Sequence, residues 1–389
     1  MRDKTTQNLQ TITRSPLQTL HSADLISRFE NKILSVLKNY SKETIFLAAV
    51  SGGADSMAML VSLRALSEQP DFNYKIVVFH VEHGIRPAEE SRGDADFVRD
   101  FCERNGIDFR VKNIRQGKIA SLARSKGIGI EAAARYFRHK ALFKSAAALG
   151  KNTVILLAHT KDDLLETTLM RILRGAGPAG LAAMRENAEA EVYGGQCGIN
   201  VKRICRPLLA AGRIDVIDYL NAKNIFWRED SSNADEKFLR NRIRRRLVPL
   251  LNESFPSWKT GAASLAETQS LAADFIVNEA QLRIIWETIN LETLTPLSIS
   301  TNEENFFLQP QIIREEALFI GINKFSCSRS QDKYQNSSIK RSVIRRFCAG
   351  ELKSADLGSV RIKREKGEIL ITRMRKDFFE CGVSRLIKA

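Results

Sequence analysis

The readable hydrophobic pattern begins at Asp24, where Leu25, Ile26, Phe29, Ile33, Leu34 and Leu37 recur at helical spacing. Thr44-Ile45-Phe46-Leu47-Ala48-Ala49-Val50 then forms a continuous apolar run, the pattern of a strand buried on both faces. Ser51-Gly52-Gly53-Ala54-Asp55-Ser56 reads as a turn, and Met57 to Leu66 as a helix. The alternation continues with a strand over Lys75–Val81, a helix over Asp94–Asn105 and a short strand over Asp108–Ile114. An Ala-rich helix over Ile130–Leu149 and a buried strand over Thr153–Ala158 follow. A helix from Asp162 to Leu173 is ended by Gly175-Ala176-Gly177-Pro178. Strand–helix alternation of this kind predicts an α/β fold, a parallel sheet with helices on both faces. In such sheets ligands bind beyond the carboxyl ends of the strands. The chemically capable residues fall there: the loop after Val50, His80 to Gly84, and His159 to Glu166.

Beyond about Ala234 the character changes. Residues 235–300 read as mainly helical and basic at the start. Asn302 to Ser338 is polar and carries little pattern. Leu357–Lys363 and Glu368–Arg373 alternate around Lys366-Gly367, the signature of a β-hairpin. The expected organisation is an N-terminal tail (1–23), an α/β domain (24–234), a helical basic domain (235–300) and a small α+β region with a terminal hairpin (301–389). No internal repeat is visible.

Composition narrows the class. With 389 residues, 43% hydrophobic, the chain is too apolar for a disordered protein and long enough for two or three domains. No window holds ~18 uncharged apolar residues, and Met1 to Leu20 lacks the apolar core of a secretory signal. The expectation is a cytoplasmic protein with no membrane partner. The six cysteines are scattered without C-x-x-C spacing, so they read as reduced and mostly buried.

Charge adds a partner. The net charge is +15, and it is unevenly spread. Residues 101–150 carry 11 Lys/Arg against 3 Asp/Glu, and residues 201–250 carry 12 against 6. Residues 301–389 carry 18 against 11. Separated basic blocks suit a polyanion held over an extended surface, a soluble enzyme with a cationic face being the plainer alternative. The densest run, Arg240 to Arg246, has five arginines in seven positions. Arginines so close repel one another unless anions neutralise them, as nucleic-acid phosphates would.

The buried strand feeding Ser-Gly-Gly-Ala-Asp-Ser and then a helix is an anion cradle. Gly52 and Gly53 allow close backbone approach to phosphate, the helix N-terminus offers N–H groups, and Ser51 and Ser56 add hydroxyls. Asp55 is out of place beside phosphate unless a cation bridges it, so it reads as a Mg²⁺ ligand. The G-x-x-x-x-G-K-[ST] pattern is absent, so this is not a Walker-type loop.

This loop resembles the SGGxDS pyrophosphate-binding loop of the PP-loop ATPases, which cleave ATP between its α and β phosphates and adenylylate a substrate. Other segments narrow the likeness to the tRNA(Ile)-lysidine synthase family. His80-Val81-Glu82-His83-Gly84-Ile85 is similar to that family's HxxHGL segment, and Ile130 to Arg138 to its EAAAR-x-x-R segment. Ala158 to Thr167, running into Arg171-Ile172-Leu173-Arg174-Gly175, resembles its AHxxDDxxET…RLLRG signature. Arg206-Pro207-Leu208-Leu209, Asp230-Ser231-Ser232-Asn233 and Arg240-Asn241-Arg242-Ile243-Arg244 match too, and the ordered resemblance covers roughly residues 44–251. Leu164 stands where the family usually has Gln, and Glu82 where a His is common.

The resemblance implies adenylylation of C2 of the wobble cytidine in a CAU-anticodon isoleucine tRNA, then attack by the ε-amine of free L-lysine. ATP and Mg²⁺ would be the cofactors. Ser51, Gly52, Gly53, Ala54, Asp55, Ser56 and His80 would hold the nucleotide, with Asp55 the metal ligand. Asp55, Arg135, Asp163 and Glu166 would be catalytic, and Arg206, Arg242, Arg244 and Arg245 would contact tRNA. Plainer roles stand beside these. Asp163 and Glu166, at i, i+3, would equally suit a solvated acidic face at a helix N-terminus. Arg135 would pair with Glu131 on the surface. His80 and His83 would have structural or stacking roles, and His159 would simply end its strand. At the level of the whole chain, the alternatives are a PP-loop tRNA thiolase, against which the lack of C-x-x-C counts, and a non-catalytic RNA-binding protein.

Overall fold

The structure, a computed structural model, describes residues 16–84, 88–182, 184–194, 198–229, 239–289, 298–326, 341–357 and 360–374. The chain forms two compact units. The first comprises Met1–Leu164, Glu186–Ala188 and Ile204–Asp235, and the second Leu165–Arg185, Glu189–Arg203 and Glu236–Ala389.

In the first unit the strands β1 (Ile45–Ala49), β2 (Lys75–Glu82), β3 (Asp108–Asn113) and β4 (Thr153–Leu157) lie in the order β3-β2-β1-β4. Each is parallel to its neighbour, with Ala49 level with both Phe79 and Leu157. Central β1 is buried through Phe46, Leu47 and Ala48, which is why it reads as an unbroken apolar run. Helix α1 (Pro16–Leu37) begins well before Asp24. Pro16 suits a first helical position, and Phe29, Ile33, Val36 and Leu37 form the buried stripe that periodicity detects from Asp24 on. Helix α2 (Ala54–Leu66) starts directly from the glycine turn, earlier than Met57, and is buried nearly all round. Its Met57, Met59, Leu60 and Leu63 join Phe29 and Ile33 of α1 and Val98 and Cys102 of α3 (Ala88–Arg104) in one core. Val216, Tyr219 and Leu220 of α8 (Arg213–Ala222) complete it.

Several elements escaped the sequence reading. Helix α4 (Lys118–Lys126) buries only Ile119 and Ala123, against Ala133 of α5 (Ile130–Leu149), so its stripe is one turn long. After α6 (Lys161–Ile172) and the short α7 (Pro178–Leu181) come β5 (Asn187–Gly194) and β6 (Gly198–Cys205). Their charged and glycine-rich sequences have no apolar run to announce a strand.

The second unit contains α9 (Leu239–Arg242), a π-helical turn (Ile243–Leu247), α10 (Val248–Ser254) and the long α11 (Trp258–Arg283). A five-stranded antiparallel sheet follows, built from β7 (Glu287–Ile289), β8 (Ser298–Asn302), β9 (Ser354–Leu357), β10 (Val360–Glu365) and β11 (Glu368–Arg373). Its order is β7-β8-β11-β10-β9. The expected hairpin is β10–β11, with Glu365 opposite Glu368. Lys366 and Gly367 both have positive φ, 52° and 78°, the two-residue turn whose twist matches the strands. The stretch after Asn302 holds α12 (Glu303–Leu308), α13 (Gln311–Ser326) and, farther on, α14 (Arg341–Cys348). Ile313, Ala317, Leu318 and Ile322 form the stripe of α13, diluted by charged neighbours.

Gly321 lets α13 lie close to this sheet. A Cβ there would meet Ile371 Cδ1 at 2.5 Å and the Trp286 ring at 2.9 Å. Trp286 cannot easily give way, because its buried Nε1–H donates to the Ala317 carbonyl at 3.0 Å. Gly321→Ala is therefore expected to overpack this core and cost about 1–3 kcal/mol, despite alanine's better helix propensity. Urea denaturation of the two proteins measures it; an unchanged or raised midpoint would contradict the close approach.

Among the described residues no helix is long and apolar enough to cross a membrane.

Candidate active site

The parallel register brings three segments level at the carboxyl edge of the first unit's sheet: Val50–Ser51 after β1, His80 near the end of β2, and Ala158–His159 after β4. The loop after β1 is preorganised by its own serines. Ser51 N–H donates to Ser56 Oγ at 3.1 Å, Ser56 Oγ donates to the Gly53 carbonyl at 2.9 Å, and the two hydroxyls lie 3.2 Å apart. Gly52 has φ +92°, a conformation that side chains disfavour. Gly53 caps α2 without a side chain, so the N-cap residue itself makes no side-chain hydrogen bond to the helix start. A helix N-terminus carries unsatisfied N–H groups and partial positive charge, which suits a phosphate. Ala54, Asp55 and Ser56 form that first turn.

Arg228 holds the loop from outside. Its N–H donates to the Gly52 carbonyl at 3.0 Å, and its guanidinium pairs with Asp94 of α3. His80 is buried, and its Nδ1–H donates to the Val50 carbonyl at 2.8 Å. Burial lowers its pKa; the Val50 bond and nearby carboxylates oppose this without overcoming it. His80 thus fixes the backbone entering the loop. The glycine of its motif, Gly84, has φ +61°, and a Cβ there would stand 2.7 Å from the Ile114 carbonyl oxygen.

Asp55 does not stand alone. Its Oδ1 accepts from Arg213 Nη1 at 2.6 Å, and Arg213 is the first residue of α8. The N–H of Arg213 donates to Asp162 Oδ2, also at 2.6 Å. Among the described residues no three His, Cys, Asp or Glu side chains gather to hold a metal, so a Mg²⁺ at Asp55 would draw its other oxygens from phosphate and water.

Beyond β4, His159 lies within electrostatic reach of Asp163, Arg206, Arg135 and Arg138. Its Nδ1 is buried with no hydrogen-bond partner. Burial pushes its pKa down to about 3; Asp163 opposes, while the three arginines push the same way. Arg206 is half-buried, and burial together with Arg135 lowers its pKa too. Arg206 thus belongs to this cluster at the sheet edge, in the first unit. The sign of the pH effect follows. A histidine lowered from about 6.5 to about 3 gives its full stabilising share above pH 6.5, and that share is lost as the pH falls toward 3. His159→Gln, which cannot titrate, is expected to flatten the stability profile in that window. Denaturant midpoints from pH 7 to pH 4 check it, and parallel profiles would rule out a buried neutral His159.

Asp163 caps its own helix. Its Oδ2 accepts the Thr160 N–H at 2.9 Å, and its N–H donates to Thr160 Oγ1 at 3.4 Å, a reciprocal capping box. In the second unit Glu166 is buried, with 4% of its side chain exposed. Arg244 binds it with two bonds, of 2.6 and 3.0 Å, and Arg240 Nε binds its Oε2 at 2.9 Å. Arg240 and Arg244 are four apart, so the α9–π-turn segment presents both on one face. Arg242 and Arg245 are exposed in the same unit, Arg135 is exposed in the first, and Asp230–Asn233 lie outside the described residues.

Sequence reasoning missed Arg213, Arg228, Asp94 and Asp162 as neighbours of the loop. It also missed Arg240 as a partner of Glu166, although its i, i+4 spacing to Arg244 was visible. Of the cysteines, Cys102, Cys205 and Cys348 are buried, with thiols pushed up to about 12 chiefly by burial, which makes them inert. The other three lie at positions whose side chains are outside the described residues.

A parallel sheet whose first strand feeds a glycine turn and a helix N-terminus defines a nucleotide-phosphate-binding α/β domain. The PP-loop domain family matches residues 25–251, and the chain belongs to that family. It is 38% identical over 234 residues to a tRNA(Ile)-lysidine synthase of Treponema denticola, covering 59% of this chain and 46% of that one. It is 40% identical over 229 residues to a tRNA(Ile)-lysidine synthase of Geobacter sulfurreducens, covering 59% and 44%. The chain thus matches about half the length of these curated relatives. Its fold is also similar to a U34-tRNA thiolase of Methanococcus maripaludis, with a TM-score of 0.50, 17% identity and coverage of 63% of this chain and 80% of that one.

Proposed function

We propose that this chain is a tRNA(Ile)-lysidine synthase. It would use ATP to adenylylate the C2 oxygen of the wobble cytidine in a CAU-anticodon isoleucine tRNA. The ε-amine of free L-lysine would then attack C2, forming lysidine and releasing AMP after pyrophosphate. The observation that carries this reading is the serine-braced phosphate loop, set in a stretch that shares 38% identity with enzymes of that name.

The residues take roles accordingly. The Ser51–Ser56 loop and the start of α2 bind the pyrophosphate portion. Asp55 would hold Mg²⁺, which when bound neutralises charge developing on the leaving phosphates. Arg135 and Arg206, beside His159, suit the α-phosphate or the base, and the neutral imidazole adds no further positive charge there. Asp163 and Glu166 supply acidic groups for lysine, three residues apart on α6. Arg242, Arg244 and Arg245 are tRNA-contact residues, with Arg244 also bound to Glu166. Arg206 keeps its proposed tRNA role through the base it would touch. The site would work in the cytoplasm, where its substrates are.

The test is incubation with ATP, Mg²⁺, labelled lysine and a CAU-anticodon isoleucine tRNA transcript, followed by nucleoside analysis. Lysine joined to cytidine only when ATP is present is the expected result. Binding of tRNA without lysine incorporation would overturn it.

A further inference from the structure

Three helix starts in the first unit lie beside Asp55. Asp55 lies in the first turn of α2, Asp162 in the first turn of α6, and Arg213 opens α8. Lys161 N–H donates to the Ala211 carbonyl at 2.9 Å, which ties the beginning of α6 to the approach to α8. The Gly212 N–H donates to Asp215 Oδ2 at 3.0 Å, and the Arg213 N–H to Asp162 Oδ2 at 2.6 Å. The backbone of Arg213 is therefore fixed from two sides. Its side chain is not: the guanidinium is half-exposed and reaches one carboxylate oxygen of Asp55, itself a third exposed.

We infer that Arg213 is a positioning residue for the nucleotide, a claim that rests on the proposed use of ATP and Mg²⁺. Before nucleotide arrives its guanidinium holds Asp55. When the nucleotide and metal enter, Asp55 turns to the metal and Arg213 to the phosphate oxygens. Three physical points lead there. An ion pair this exposed is weak, so a multivalent ligand can exchange it. Arginine matches phosphate oxygens with a planar set of donors, and its backbone anchor limits how far it must move. Asp55 without a counter-cation would repel a triphosphate, and Arg213 screens it until the metal takes over.

The experiment is calorimetric titration of the full chain with α,β-methylene-ATP, with and without Mg²⁺. With Mg²⁺, Arg213→Ala is expected to weaken binding about tenfold or more, and Arg213→Lys to recover part of the loss. Without Mg²⁺, Asp55→Asn is expected to tighten binding, because Arg213 is released to the phosphates, and the gain should vanish in Asp55→Asn/Arg213→Ala. A purely structural Arg213 would not produce that dependence. Wild-type affinity in Arg213→Ala, or a gain from Asp55→Asn that survives without Arg213, overturns the inference. If the wild-type chain fails to bind the analogue at all, the nucleotide reading fails instead. Thermal melts run alongside, and if Arg213→Ala does not melt cooperatively, Arg213→Lys carries the test: unchanged affinity in the single variant and an unchanged gain in its pair with Asp55→Asn would overturn it.

Discussion

Asp55→Ala is expected to abolish ATP-dependent AMP release, by about a hundredfold or more, while leaving tRNA retention unchanged. The size follows from the role: a lost contact to charge that develops in the transition state typically costs 10²–10³ in rate. The selectivity follows from position. Asp55 belongs to the first turn of α2 beside the phosphate loop, and a carboxylate repels a nucleic-acid backbone, so its loss takes away no tRNA contact. The structure adds a further expectation. Because Arg213 holds the Asp55 carboxylate, removing it frees a guanidinium beside the loop. Without Mg²⁺, nucleotide should therefore bind at least as well to the variant, while with Mg²⁺ turnover falls far below that of the wild type. Product analysis for AMP, nucleotide titration and filter-bound tRNA separate these quantities. Wild-type turnover in Asp55→Ala would remove Asp55 from the mechanism.

What the sequence made legible was local. The strand–loop–helix unit around Ser51 is contiguous, and each of its signals is a short-range one: an apolar run, two glycines, a buried helix. The parallel order and the common edge followed from alternation and the rule for such sheets. The hairpin at Lys366-Gly367 was readable for the same reason. The ion pairs were not. Asp55 and Arg213 are 158 positions apart, and Glu166 lies 74 and 78 positions from Arg240 and Arg244. No periodicity connects such residues; only the packing of helices whose crossing a single sequence leaves open brings them together. The short or diluted elements, α4, β5, β6 and α13, failed for a different reason. Each buries too little contiguous apolar surface to stand out against its charged neighbours.

Those pairings also change how the acidic residues of α6 should be read. Asp163 was open to two roles, a substrate ligand or an acid favoured by a helix N-terminus, and the capping box shows that the second is filled. A capping carboxylate has a fixed orientation, which a site binding an ammonium group can use. The two roles are compatible, and the same holds for the phosphate loop, where Ser56 both braces the turn and would face phosphate.

Glu166 provides the second large effect. Glu166→Gln is expected to raise the lysine KM strongly or stop lysine transfer, while pyrophosphate release from ATP-dependent activation of the tRNA remains measurable. Stability must be separated from chemistry here, because Glu166 binds two arginines. Arg240 and Arg244 retain 28% and 46% of their side-chain exposure, so without the carboxylate they can turn to water, and the loss should be about 1.5–3 kcal/mol. Removing both arginines is worse. Glu166, 4% exposed, would stay buried as an uncompensated charge, at a cost of about 3–5 kcal/mol. Denaturant unfolding should therefore rank Arg240→Ala/Arg244→Ala below Glu166→Gln. If Glu166 served only to hold the arginine segment, the double variant would be the more damaged enzyme and Glu166→Gln would keep its dependence on lysine. A lysine KM that moves in Glu166→Gln, in a protein still folded at the assay temperature, places the carboxylate at the substrate. An unmoved KM would confine Glu166 to its structural pairing and leave Asp163 as the acidic group of α6 to test for lysine.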